Sequence, residues 1–309
     1  MAFALVFPGQ GSQSVGMMAA YGESAVIRDT FAEASEALGE DLWAMVCNGP
    51  AERLALTVNT QPLMLTAGVA VWRAWLAAGG AKPVMVAGHS LGEYSALVAA
   101  GAMAFRDAVP LVRFRAQAMQ EAVPAGEGAM AAVMGLEADA VREACTEAAQ
   151  GQVVEAANLN APGQIVIAGA KAAVERASEI AKAKGAKRAV LLPVSAPFHC
   201  ALMRPAAERL AERLAGVSIA RPEIEVINNV DVAVYDDPAQ IRDALVRQAS
   251  SPVRWIELVQ AMAGRGMSPI IECGPGKVLA GMTKRIAKDV EGGSAHDAAS
   301  LEQAITAAR

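Results

Sequence analysis

Short, unbroken apolar runs alternate along the chain with stretches in which apolar positions recur every three or four residues. Residues 2–7 and 83–88 are apolar throughout, which predicts strands buried on both faces. Helical spacing fills residues 61–78, then 94–100, where the residues are mostly small, and 106–122. The strand pattern returns at 223–228 and 269–273, with helices on either side. Strands separated by helices imply a parallel sheet covered on both faces.

The middle of the chain departs from that rhythm. Residues 129–134 read as a strand and 137–149 as a helix; 153–158 and 164–169 read as two strands joined by the turn Asn160-Ala161-Pro162-Gly163. A helix over 171–184 stops at Gly185, and a last strand covers 188–194. The order β-α-β-β-α-β is the ferredoxin-like pattern. The fold expected is therefore α/β, with a large domain from residues 1–125 and 199–309 and a small ferredoxin-like domain, 126–198, inserted between them. Residues 289–298, polar and glycine-containing, read as a mobile tail.

Composition narrows the function classes. With 309 residues, 54% apolar and 19% charged, the chain has ample side chain to bury, and disordered or fibrous architectures are excluded. A net charge of −5 argues against a general nucleic-acid binder. Arg73 interrupts the apolar stretch 63–81, and 94–105 is too short to span a bilayer, so no membrane span is expected. The first cationic side chain is Arg28, so no export signal is read, and the expectation is a soluble cytoplasmic protein. Cys47, Cys145, Cys200 and Cys273 lie far apart without a neighbouring histidine cluster, so neither a metal site nor a disulfide framework is predicted.

The sharpest chemical signal is Gly88-His89-Ser90-Leu91-Gly92, which follows an apolar strand and opens a helix. That is the setting of a nucleophile elbow: the glycines let the chain turn sharply and project Ser90, with helix N–H groups behind it. The plainer alternative is a tight turn whose serine caps a helix. A nucleophilic serine needs a base, and the chain has three histidines. His89 is adjacent to Ser90, where side chains diverge, and His296 falls in the polar tail. His199 stands where the inserted domain ends, and clefts form at such junctions. No Asp or Glu stands out as a third member, so a dyad is predicted.

Arg115 lies on the apolar face of its helix with Leu111, Val112, Ala118 and Met119, whereas Arg113 falls on the opposite face and reads as solvated. A buried guanidinium requires an anionic partner, either a carboxylate of the protein or one on a substrate. The glycine-rich loop 8–13 matches neither nucleotide fingerprint, so no phosphate cradle is predicted.

Seven segments together resemble a known family, the malonyl-CoA:acyl carrier protein transacylases. They are FPGQGSQ (7–13), AGHSLGEYSAL (87–97), RFRAQAMQEAVP (113–124), NAPGQIVIAG (160–169), SAPFHCALM (195–203), SSPVRW (250–255) and ECGPGKVL (272–279). The resemblance implies a hydrolase-like α/β domain carrying the ferredoxin-like insertion. It also implies Ser90 as the acylated nucleophile, His199 as its base and the main-chain N–H groups of Gln10 and Leu91 as the oxyanion hole. Arg115 would bind the free malonyl carboxylate, and the main-chain carbonyl of Gln248 would orient the histidine. Arg188, Lys284 and Arg285 occupy positions resembling a carrier-protein docking patch. No cofactor and no metal are implied: the CoA thioester is a substrate, phosphopantetheine comes on the carrier protein, and the enzyme is expected to be a monomer. The motifs leave room for a malonyl-loading acyltransferase of a polyketide synthase or of malonate decarboxylase. A serine hydrolase or thioesterase is disfavoured by Arg115.

Overall fold

A computed structural model describes residues 2–194 and 196–309 of the chain. Nine strands are found among them: β1 (Ala4–Phe7), β2 (Met85–Gly88), β3 (Gly128–Met134), β4 (Val154–Ala161), β5 (Gln164–Ala170), β6 (Arg188–Leu191), β7 (Glu225–Val226), β8 (Ile270–Cys273) and β9 (Gly292–Ala295). Five form a wholly parallel sheet in the order β7-β2-β1-β8-β9. The other four form an antiparallel sheet in the order β4-β5-β3-β6, the strand arrangement of a ferredoxin-like unit.

The parallel sheet is buried on both faces, which is why its strands are apolar without alternation. Leu5, Phe7, Val86 and Ile271 face the helices Thr57–Ala77 and Phe105–Glu121. Ala4, Val6, Met85 and Ile270 face the helices Trp255–Gly264 and Val278–Ile286. In the antiparallel sheet, Val133, Ile165 and Ile167 pack on the helices Ala138–Ala149 and Lys171–Ala183. The opposite face, through Met130, Val166 and Ala168, meets Met119, Phe198 and Met203. Strand β4 is tied through the backbone to the segment before the helix Trp255–Gly264, where Leu159 N–H donates to the Val253 carbonyl and Val253 N–H to the Ala157 carbonyl, at 3.0 and 2.9 Å.

Several expectations need correction. Residues 289–298 are not a mobile tail: Gly292–Ala295 is edge strand β9, registered on Ile270–Cys273. Its small residues lack the β-branched pattern by which strands are recognised. The His296 ring approaches Ser294 Oγ at 3.0 Å, and a helix, Ala298–Ala307, follows. β4 runs on to Ala161, so the hairpin turn narrows to Pro162-Gly163, while β6 and β7 are shorter than predicted. Arg113 is half-buried and grips Glu40 with both nitrogens, at 2.7 and 2.9 Å, rather than being solvated. No helix among the described residues is long and apolar enough to cross a membrane.

Candidate active site

Ser90 sits at the carboxyl end of β2, at the turn into the helix Gly92–Ala99, with φ of 52°. A non-glycine residue in the left-handed region is strained unless its surroundings impose it, and here two glycines do so. A methyl group on Gly88 would lie 1.8 Å from the Gly92 carbonyl carbon, and one on Gly92 would lie 2.0 Å from the Phe7 carbonyl oxygen. Strand, helix and β1 therefore approach closer than any side chain permits.

His199 reaches the same point from the segment after β6. Ala201 N–H donates to Glu155 Oε2 of β4 at 3.0 Å, and His199 itself has φ of 63°. Ser90 Oγ and His199 Nε2 are 2.6 Å apart, and His199 Nδ1 lies 2.9 Å from the Gln248 main-chain carbonyl. Because that carbonyl can only accept, the proton sits on Nδ1 and Nε2 is free to take the hydroxyl proton. Burial pushes the imidazole pKa down to about 3, and the nearby Arg115 charge lowers it further within that shift. The ring is thus neutral at physiological pH. Labelling of Ser90 by an uncharged sulfonyl fluoride is expected to hold its rate as pH falls from about 8 to 5. In Arg115→Ala the imidazole pKa rises, so the acid limb should move to higher pH. An unmoved limb would contradict the assigned coupling.

His89 does not reach Ser90. Its Nε2 lies 2.8 Å from Asn160 Oδ1 and its ring packs against Trp255. Burial depresses its pKa as well.

Arg115 is 1% exposed. Its Nη1 donates to Gln61 Oε1 at 2.7 Å; its Nη2 donates to Gln248 Oε1 at 2.9 Å and approaches Ser90 Oγ at 3.2 Å. The guanidinium lies over the Tyr94 ring, and Nε has no hydrogen-bond partner among the described residues. None of its hydrogen-bond partners there is a carboxylate. Of the two partners open from the sequence, a protein carboxylate bonded directly to the guanidinium is not found among the described residues.

Gln10 and Leu91 flank the same cavity, which has a volume of about 240 Å³. A methyl on Gly9 would come within 2.5 Å of the His89 carbonyl oxygen, so the loop carrying Gln10 lies directly against the elbow. The main-chain N–H groups of Gln10 and Leu91 make no hydrogen bond among the described residues, which leaves both for an incoming oxyanion. Phe198, Met119, Met130 and Val166 form an apolar wall. Ser195, which opens the SAPFHCALM segment, lies outside the described residues.

Arg188, Lys284 and Arg285 are exposed and do not line the cavity that holds the dyad. Arg285 donates to Gln164 Oε1 and the Pro162 carbonyl, neutral acceptors that leave its charge uncompensated, and Lys288 joins it and Lys284 around Pro162. Arg188 is linked to this end of the small sheet through Met134, which registers with both Arg188 and Gln164.

Sequence reasoning named Gln248 only for its main-chain carbonyl and missed the side chains that hold the elbow. Asn229 Oδ1 accepts from Ser90 N–H and Asn229 Nδ2 donates to the Gly88 carbonyl, at 2.8 and 2.7 Å. The side chains of Gln248 and Glu93 complete this support, and Gln61 shares Arg115. Of these, Glu93 alone carried a signal: a carboxylate inside an otherwise small and apolar helix.

Residues 4–304 match the acyl transferase domain family. The chain is 55% identical over 304 residues to the malonyl CoA-acyl carrier protein transacylase of Escherichia coli K12, covering 98% of each. The crystal structure of an acyl-carrier-protein S-malonyltransferase from Burkholderia pseudomallei 1710b is 63% identical, with a TM-score of 0.98 over 99% of this chain and 100% of that one. A malonyl-transacylase solved with a type II PKS acyl-carrier protein is 52% identical, with a TM-score of 0.98 over 99% of both chains.

Proposed function

The chain belongs to the malonyl-CoA:acyl carrier protein transacylases, and we propose that it transfers malonyl groups from malonyl-CoA to the phosphopantetheine thiol of an acyl carrier protein for fatty-acid synthesis, by way of a malonyl-Ser90 ester. The observation that carries this reading is the 2.6 Å Ser90–His199 pair beside a buried guanidinium whose partners are amides rather than a carboxylate. Simple acyl hydrolysis has no use for such a cation.

In the first half-reaction the malonyl carboxylate docks on Arg115 and the thioester carbonyl oxygen points at the N–H groups of Gln10 and Leu91. His199 Nε2 takes the Ser90 proton as Oγ attacks, and the tetrahedral oxyanion is held by the two N–H groups. Collapse breaks the C–S bond, and the proton passes from His199 to the departing CoA thiolate. The second half-reaction runs the same steps with the carrier thiol as nucleophile. Gln248 keeps the imidazole in the required tautomer throughout, so no carboxylate is needed behind it.

Residues 126–198 supply one wall of the cleft as an inserted domain. The protein acts as a monomer on this reading, and the four free cysteines suit a reducing cytoplasm. No cofactor enters the scheme.

Arg188, Lys284 and Arg285, with Lys288 added, form the surface for the acidic carrier. Reversing Lys284 and Arg285 to Glu is expected to raise KM for the carrier roughly tenfold and leave acylation by malonyl-CoA unchanged. Steady-state kinetics with varied carrier decides it, and an unchanged KM removes the patch from the interface. Function itself is tested by mixing the protein with malonyl-CoA alone and weighing it. A malonyl adduct supports the transfer; release of malonate without an adduct indicates a hydrolase.

A further inference from the structure

Glu93 follows Ser90 by three residues, in the first turn of the helix Gly92–Ala99, and is 2% exposed. The scheme above gives this carboxylate no task. Its Oε2 accepts from two donors, Asn229 N–H at 3.0 Å and Gln248 Nε2 at 2.9 Å. Those two residues hold nearly everything else. Asn229 ties Ser90 N–H to the Gly88 carbonyl. Gln248 Nε2 also donates to the Ser90 carbonyl at 2.9 Å, its Oε1 accepts from Arg115, and its main-chain carbonyl accepts from His199 Nδ1. One carboxylate oxygen is therefore where the supports of nucleophile, base and guanidinium converge.

Its placement also bears on Arg115. Glu93 and Arg115 are linked through the Gln248 amide, whose NH₂ end faces the carboxylate and whose oxygen faces the guanidinium. The orientation is forced, because a guanidinium only donates and an ionised carboxylate only accepts. A carboxylate bonded directly to Arg115 would occupy the groups a substrate needs, and a site with no anion nearby would leave the buried cation uncompensated. Balancing the charge one amide away does neither.

We propose that Glu93 is a positioning residue for acyl transfer, fixing the Ser90 elbow and Gln248 while offsetting the Arg115 charge without filling its fork. This rests on the transacylase reading for the substrate, though not for the alignment of Ser90 and His199.

The other ionisable groups facing Glu93 are Tyr94 on its own helix and Asp231 and Tyr235 from the segment after β7. Burial pushes the Glu93 carboxyl up to about 7, so measurements at about pH 8 keep it ionised. The test compares wild type, Glu93→Ala and Glu93→Gln in two assays. The first is the rate at which phenylmethylsulfonyl fluoride sulfonylates Ser90 with loss of fluoride, followed by intact mass. The second is kcat and KM for malonyl-CoA and acetyl-CoA.

Alanine removes both the acceptor and the charge, and sulfonylation is expected to slow by roughly 10- to 100-fold. Glutamine keeps an acceptor oxygen, so labelling should return to within about threefold of wild type. Its missing charge should lower KM for malonyl-CoA severalfold, by about three- to tenfold, and leave KM for acetyl-CoA in place. Wild-type labelling rates in a folded Glu93→Ala protein, or an unchanged malonyl-CoA KM in Glu93→Gln, would overturn the proposal. If alanine prevents folding, the KM split in Glu93→Gln decides alone. A wild type that is sulfonylated but never gains malonyl sinks the transacylase reading, and the labelling comparison still judges Glu93.

Discussion

Replacing Ser90 by alanine is expected to erase the malonyl adduct and to cut transfer to the carrier by at least about a thousandfold. The hydroxyl is the nucleophilic group 2.6 Å from His199 Nε2. The thiol that follows His199 in sequence, Cys200 Sγ, is buried and directed at the Pro197 carbonyl, and burial pushes its pKa up to about 12. Among the described residues lining the cavity, Ser90 is the hydroxyl paired with a histidine. His199→Ala should cost a similar factor, since a hydroxyl without its base is a poor nucleophile at neutral pH. The two losses should not add in the double variant, because the pair works as one unit. Intact mass after brief exposure to malonyl-CoA, paired with a carrier-loading assay and a denaturation midpoint for each variant, makes the comparison. An adduct on Ser90→Ala, or transfer within tenfold of wild type, would remove Ser90 from the reaction.

Arg115→Ala should collapse the preference for malonyl-CoA over acetyl-CoA by roughly 100-fold or more. Truncating one partner of a buried, hydrogen-bonded charge pair costs about 2–5 kcal/mol, and the acetyl group has no carboxylate to lose. The side chain's protein partners, Gln61 and Gln248, are neutral and hold the guanidinium in place without satisfying its charge. Arg115→Lys should recover little, because an ammonium cannot reproduce the planar fork between two amide oxygens. The ratio of kcat/KM for the two thioesters reads this directly. A variant that keeps its preference for malonyl would assign the carboxylate to another group.

Much of this architecture was legible in the residue pattern. Strands buried on both faces leave unbroken apolar runs, so β1, β2 and β8 stood out, and the change of rhythm after residue 125 marked a different sheet. Strand β9 did not stand out: Gly292, Gly293, Ser294 and Ala295 have no large side chains to bury, and the pairing with β8 is a matter of backbone alone. Ser90 was visible through its glycines, His199 by elimination and Arg115 as a charge on an apolar face. The side chains that support the elbow were not, although Gln248 was named for its main-chain carbonyl. Asn229 and Gln248 stand 139 and 158 residues away from Ser90, and no local pattern reports a contact of that range. Arg113 was misread for the same reason: its partner, Glu40, belongs to a segment 73 residues earlier.

Arg115 reaches Ser90 Oγ, and its charge lowers the basicity of the His199 imidazole beyond what burial does. On the proposed reading, a malonyl carboxylate at Arg115 would offset the part of this charge that Glu93 leaves, and burial would remain the larger cause of the low imidazole pKa. An acetyl group would leave the charge as it is. On that reading, discrimination between the two would show in kcat as well as in KM.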